Sequence, residues 1–172
     1  GLLGFAVSMY SFIPLTHEWG AQELLLPQAF RGLAQQFAVA PTVTLTLGSL
    51  PPTRLKLASG LFNLMRNLGG AIGIALCGTV INDRTNFHYS RLADHLNNAS
   101  LPVTDFIQNS TNRLMSQGVS PEIANSAALK NLSALAMREA RTQAFSDAFW
   151  LIMLGFLIAA LLVPFMKKPQ TP

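Results

Sequence analysis

The run Ala58-Ser59-Gly60-Leu61-Phe62-Asn63-Leu64-Met65-Arg66-Asn67-Leu68-Gly69-Gly70-Ala71-Ile72-Gly73 decides the fold class. Ser59, Asn63, Arg66, Gly70, Gly73 and then Cys77 recur at three- and four-residue steps, which places them on one helical face. Leu61, Leu64, Leu68, Ile72 and Leu76 occupy the remaining surface. Such a helix suits a bilayer when its polar side faces protein or water and its greasy side faces lipid. Gly69, Gly70 and Gly73, with Ala71 and Ala75, predict the close approach of a neighbouring backbone, as in small-xxx-small packing.

The surrounding chain agrees with a membrane setting. Hydrophobic residues make up 50% of it and charged residues 12%, where soluble domains carry roughly 25% charged. A hydrocarbon core of about 30 Å takes about 20 helical residues to cross, and the span built on the quoted run extends over 54–82. A second span is expected at 24–50, with Pro27 in its first turn and Pro41 inside, where it should kink the helix. Residues 1–16 read as the end of a further span, closed by Pro14 and the turn His17-Glu18-Trp19-Gly20. The opening apolar run, Gly1 to Leu15, would measure only about 22 Å as a helix, so the chain reads as a fragment whose first helix begins outside this sequence. The last span is expected at 143–166, followed by a tail at 167–172 with Lys167 and Lys168.

Between the last two spans, 83–142 is too polar to cross. Asn82 to Asn97 keeps helical spacing, with Phe87, Leu92 and Leu96 among charges. Ser120-Pro121-Glu122 is a helix start, and Ile123, Leu129, Leu132, Leu135 and Ala136 carry that helix towards Arg141. Asn98 to Val119, with Pro102 and Gly118, reads as the connection. The expectation is an extramembrane helical hairpin between the last two spans of an all-α integral membrane protein, its two helices extending the membrane helices outward. Arg54 and Lys56 in one short loop, and Lys167 and Lys168 in the tail, have no acid beside them, so both should be cytoplasmic and 83–142 extracytoplasmic.

Several function classes are set aside by the residues. A formal charge of +4 and a pI near 9.7 could suggest nucleic acid, but the basic residues form no stripe and no aromatic platform accompanies them. Cys77 is alone, so it can form neither an intrachain disulfide nor a zinc site, and it reads as a small packing residue. His88, Arg91 and His95 share a helical face, but two histidines without a third ligand read as a solvated face and no metal is expected. No nucleophile elbow, P-loop or paired carboxylate set appears, so neither an enzyme nor a cofactor is expected. Asn98-Ala99-Ser100, Asn109-Ser110-Thr111 and Asn131-Leu132-Ser133 match the glycosylation acceptor pattern, a weak signal in so polar a stretch.

Polar residues within the spans are the candidate site. Arg66 lies 10 positions beyond Lys56, roughly 15 Å along the helix and near mid-membrane. It either ties helices together through carbonyls or an acid on another helix, or contacts substrate or water in a translocation path; Asn63 and Ser59 divide the same way. Arg31, Gln35, Ala38, Thr42 and Thr46 form a weaker stripe on the preceding span. Arg31 can snorkel to the outer boundary. Gln35 and Thr42 either line a path or bond between helices and to backbone freed by Pro41. Asp147 opens the last span, where an acid suits the helix dipole or serves in protonation.

The run Ala58 to Gly73 resembles the penultimate helix of the fourteen-helix drug:proton antiporters, the EmrB/QacA-type branch of the major facilitator superfamily. The resemblance extends to Pro27-Gln28-Ala29-Phe30-Arg31-Gly32-Leu33 and to Gln143-Ala144-Phe145-Ser146-Asp147-Ala148-Phe149-Trp150, and so covers nearly the whole chain. It implies the C-terminal part of a major facilitator-type bundle, exporting hydrophobic or amphiphilic compounds by proton antiport across the bacterial inner membrane, with the C-terminus cytoplasmic. The implied partners are the lipid bilayer, N-terminal helices of the same transporter, a hydrophobic small-molecule substrate and a periplasmic adaptor protein. The family's signature motifs and acidic coupling residues belong to early helices, so proton coupling is assigned to no residue here. A small membrane scaffold or assembly subunit is the rival reading of the same composition.

Overall fold

The computed structural model describes residues 1–16, 18–48, 50–95 and 101–165. His17, the acceptor Asn98-Ala99-Ser100 and the tail with Lys167 and Lys168 lie outside the described residues. Five α-helices follow one another: α1 (Leu2–Ser11), α2 (Ala21–Leu47), α3 (Pro52–His95), α4 (Leu101–Ser116) and α5 (Pro121–Leu162), with a 3-10 turn at Val163–Phe165. No strand occurs among the described residues. The protein is an all-α membrane protein. Thr53–Asp94 and Pro121–Phe165 are long and apolar enough to cross a bilayer, and Leu2–Ser11 is a shorter apolar helix. Large apolar side chains point outward along these elements, Leu57 at 81% and Ile74 at 77% exposure, as suits a lipid-facing surface. At 27 residues α2 is long enough to cross, but Arg31, Gln35 and Gln36 dilute its apolar run.

Helix ends differ from the expectations where caps and prolines act. α1 stops at Ser11 instead of Thr16, because Pro14 lacks an amide proton and disfavours helical backbone at Ile13. The amides of Phe12 and Ile13 turn tightly onto the Met9 and Tyr10 carbonyls, at 3.1 Å each. α2 starts earlier than Leu24, since the Glu23 carboxylate accepts the Gly20 amide at 2.9 Å and caps the helix there. Pro27 consequently lies inside α2 and not in its first turn. The quoted span and the expected Asn82–Asn97 helix form one helix of 44 residues, α3, about 66 Å long at 1.5 Å per residue. α5 is likewise continuous over 42 residues and gives way to the 3-10 turn just before Pro164.

The chain divides into two compact units, Gly1–Val80 with Ser146–Pro172, and Ile81–Phe145. The first is built around α1. Ala6, Met9, Phe12 and Met153 form its buried core, flanked by Phe5, Leu24, Phe149, Ile152 and Phe156. α1 runs antiparallel to α2, with Gly1 against the Phe37–Ala38 backbone, Gly4 against Ala34, and Ser8 bonded to Pro27. It is also antiparallel to α5, because Phe5 stacks on Phe156 with centroids 4.3 Å apart and Phe12 on Phe149 at 5.0 Å. Gly4 and Ser8 lie on average about 70° around the helix from Phe5 and Phe12, so a stripe of small residues runs beside an aromatic one.

In the second unit the structure overturns the expected connection over Asn98–Val119, because Leu101–Ser116 is helical. Val103 is buried and Phe106, Ile107, Ser110, Thr111 and Leu114 are half-buried, a 3.6-residue period masked by the Asn and Ser content. Pro102 causes no break at the second helical position, where its amide would be unpaired anyway. Gly118, at φ +89°, ends the helix in a Schellman turn: its amide donates to Met115 at 3.0 Å and the Val119 amide to Leu114 at 3.2 Å. The unit therefore holds a third helical segment beside the expected pair. On α5, Ile123, Leu129 and Leu135 are exposed, and the buried positions are Ala124, Ala128, Ala136, Ala140 and Ala144.

Candidate functional site

Each position of the candidate face on α3 follows from helix geometry, but the cleft selects among them. Arg66 lines a cleft of about 450 Å³ in the first unit, together with Leu2, Ala38, Val39, Thr42, Phe62, Met65 and Phe156. Four helices thus contribute to it. Thr42 from the weaker stripe lines the same cleft. Asn63 is exposed and Ser59 half-buried, and neither lines the cleft. Arg31 and Gln35 are exposed and also lie outside it. Asp147 is half-buried on α5 and does not line the cleft.

The hydroxyls of α2 are turned onto their own backbone. Thr42 donates to the Ala38 carbonyl at 2.7 Å, Thr44 to Ala40 at 3.0 Å and Thr46 to Thr42 at 2.7 Å. The carbonyl whose usual partner Pro41 removes is that of Phe37, four residues earlier, and these hydroxyls bond other carbonyls. Threonine back-bonding of this kind satisfies the hydroxyl within the helix, at no cost to neighbouring elements.

The described residues bring no neighbour to the glycines of α3. Around Gly69, Gly70 and Gly73 no atom of the described residues lies within 4 Å of where a Cβ would stand. The close approach occurs at α1, where a Cβ on Gly4 would lie 3.3 Å from that of Ala34. Sequence reasoning missed this seam and its polar bonds. Ser8 is fully buried and donates to the Pro27 carbonyl at 3.3 Å, and Ser146 donates to the Ile13 carbonyl at 2.6 Å. The signal available was Gly1, Gly4 and Ser8 at three- and four-residue steps in an apolar run. Phe62 and Met65 were also missed as site residues, although Phe62 stands one turn before Arg66.

In the second unit, His88, Arg91, Leu92 and Gln143 line a cleft of about 190 Å³. The Arg84 and Arg91 guanidinium carbons each lie 5.6 Å from the Phe87 ring centroid, and His88 meets that ring edge-on at 5.4 Å. The side chain of His95 lies outside the described residues. Among the described residues no group of three potential metal ligands forms.

Comparison with known proteins supplies the context for this arrangement. No protein-family model and no solved structure matches the chain. The multidrug export protein EmrB of Haemophilus influenzae is 29% identical over 151 residues, covering 86% of this chain and 27% of the relative. The uncharacterized MFS-type transporter YhcA of Bacillus subtilis is 27% identical over 164 residues, 95% of this chain and 31% of the relative. The colistin resistance protein EmrB of Acinetobacter baumannii is 25% identical over 168 residues, 97% of this chain and 32% of the relative. The chain spans about three tenths of the length of the curated relatives it matches. It is a homologue of the EmrB-type multidrug transporters of the major facilitator superfamily and matches a C-terminal portion of them.

Proposed function

We propose that the chain forms the C-terminal portion of an exporter of hydrophobic and amphiphilic compounds, driven by proton antiport across the bacterial inner membrane. The observation that carries the reading is the similarity to export proteins over nearly the whole chain. The apolar cleft with Arg66 near mid-membrane supports it, since an intramembrane charge beside a cavity is a common mark of a substrate path. α2 is the remaining span, and its exposed Arg31 and Gln35 face helices of the same transporter or the outer boundary. Those further helices also cover the open glycine face of α3. Alternating access rocks one half of such a bundle against the other, so the portion acts together with the remainder of its transporter and with an adaptor protein on the outer side.

Arg66 tests the export reading. Arg66→Gln in the complete transporter should abolish efflux of a fluorescent dye, with Arg66→Lys partly active because it keeps the charge and loses the planar fork. Normal dye efflux at normal expression would remove Arg66 from both the path and the helix-tying role. The proposed orientation places Arg54, Lys56 and the tail in the cytoplasm, with 83–142 outside. Single cysteines at Ser110 and Thr171, in a Cys77-free background, distinguish the faces: a membrane-impermeant thiol reagent should label position 110 in intact cells and spare 171. The reverse pattern overturns the orientation.

A further inference from the structure

Charge is unevenly spread over the second unit. Within nine residues of the proposed span ends at 82 and 143, Arg84, Arg91, Arg138 and Arg141 stand against two acids, Asp83 and Glu139. The rest of the unit, with Arg113 and Lys130 against Asp94, Asp105 and Glu122, is slightly acidic. Every fixed cation near the span ends is an arginine, whose planar fork takes two phosphate oxygens at once where a lysine offers a point charge. Phe87 gathers two of them, since the Arg84 and Arg91 guanidinium carbons each lie 5.6 Å from its ring centroid. Two like charges held beside one ring raise the local positive potential, and an anion lowers it. Arg91 is exposed and also lines the cleft of about 190 Å³ with His88, Leu92 and Gln143. Gln143 donates one amide proton to Glu139 at 3.3 Å, and its amide carries a second.

The level of this cleft along α3 points to its ligand. Phe87 stands five positions beyond Asn82, roughly 8 Å past the proposed end of the span. The polar layer of a bilayer extends about 5–8 Å beyond the hydrocarbon on each side, so the ring and the guanidiniums beside it meet the phosphate level. Helical side chains lean towards the N-terminus, which on α3 is the membrane end, so Arg91 is drawn back one turn towards lipid. The volume falls below that of the usual small-molecule sites and suits a single headgroup phosphate. Glu139 beside Gln143 weighs against a dianion and favours the single charge of a phosphodiester. We infer that this cleft binds the phosphodiester of an anionic phospholipid at the membrane boundary, with Arg91 taking the phosphate oxygens and Gln143 donating beside it. The inference rests on the proposed span ends and is independent of what the transporter exports.

Lipid titration of the complete transporter, purified in neutral detergent and read by native mass spectrometry, provides the test. The probes are phosphatidylglycerol and phosphatidylcholine with the same acyl chains, and inorganic phosphate as the soluble competitor. Phosphatidylglycerol should be retained more tightly than phosphatidylcholine. Arg91→Gln should weaken the tightest phosphatidylglycerol site about tenfold, as loss of a charge-assisted bidentate contact implies, and Arg91→Lys should weaken it less. Arg113→Gln removes one positive charge from the same unit, far along the chain from either span end, and should leave that affinity unchanged. Equal retention of the two lipids overturns the inference, and this is read in the unmutated protein even where a variant fails to fold. Undiminished phosphatidylglycerol affinity in folded Arg91→Gln also overturns it, as does an equal loss in Arg113→Gln, which would reduce the effect to net charge. Displacement of phosphatidylglycerol by inorganic phosphate would assign the site to the free ion and overturn the lipid.

Discussion

Helices α1 and α3 both carry small residues at helical spacing, yet one is packed along that stripe and the other is open. At α1, Gly4 meets Ala34 and Ser8 meets Pro27, while the aromatic face beside them stacks on α5. At α3, Gly69, Gly70 and Gly73 have no atom of the described residues within 4 Å of a Cβ position. The stripe encodes a capacity for close approach, and the partner is decided elsewhere in the fold. α1 finds its partners in α2 and α5. The proposed larger bundle supplies one for α3.

Substitutions at the two stripes can break that comparison. Gly4→Leu should have the largest effect, since even a methyl there already touches Ala34, and overpacking costs typically about 1–3 kcal/mol. The amount of detergent-extractable, monodisperse transporter should fall steeply. Full yield would mean that α1 and α2 do not pack as described. Gly70→Leu comes next, with a clear loss of folded yield in the complete transporter and little loss for Leu68→Phe on the opposite face. If the two variants behave alike, the α3 stripe faces lipid in the whole protein and no further helix covers it. Smallest are Ser8→Ala and Ser146→Ala, since interhelical hydrogen bonds in membranes average about 0.6 kcal/mol. The shorter Ser146 bond, 2.6 Å against 3.3 Å for Ser8, should give the larger of two modest shifts in thermal denaturation. A larger shift from Ser8→Ala would reverse that ranking of the two ties.

The comparison also marks what could be read from the sequence. The helical, membrane character was legible because Leu61, Leu64, Leu68, Ile72 and Leu76 repeat without a break, and prolines and caps mark most of the ends. α4 was not legible, since its buried side is built from Val103, Ile107 and Thr111 among asparagines that read as loop. Arg66 and Thr42, which line one cleft, could be named as candidates because a polar atom in a span must be accounted for. Phe62, Met65 and Phe156 were not, because an apolar side chain in an apolar helix looks the same whether it meets lipid or lines a cleft. Ser8 and Ser146 escaped for a related reason: a lone serine can bond its own helix, and only tertiary placement shows that it bonds another.

The alanines of α5 carry a consequence for how one rod serves several neighbours. From Ala124 to Ala144 the buried positions advance by fours or multiples of four, while a helix turns once in about 3.6 residues, so the line drifts about 200° around the axis over those twenty positions. Asn125, at its start, shares a cleft with Thr104, Ile107 and Gln108 of α4. Gln143, at its end, shares one with His88 and Arg91 of α3. The drift hands α5 from one companion to another within a stretch that holds no proline. Contacts to α4 and to α3 are thereby written into separate stretches of one continuous helix, and each can be altered by sequence change without touching the other.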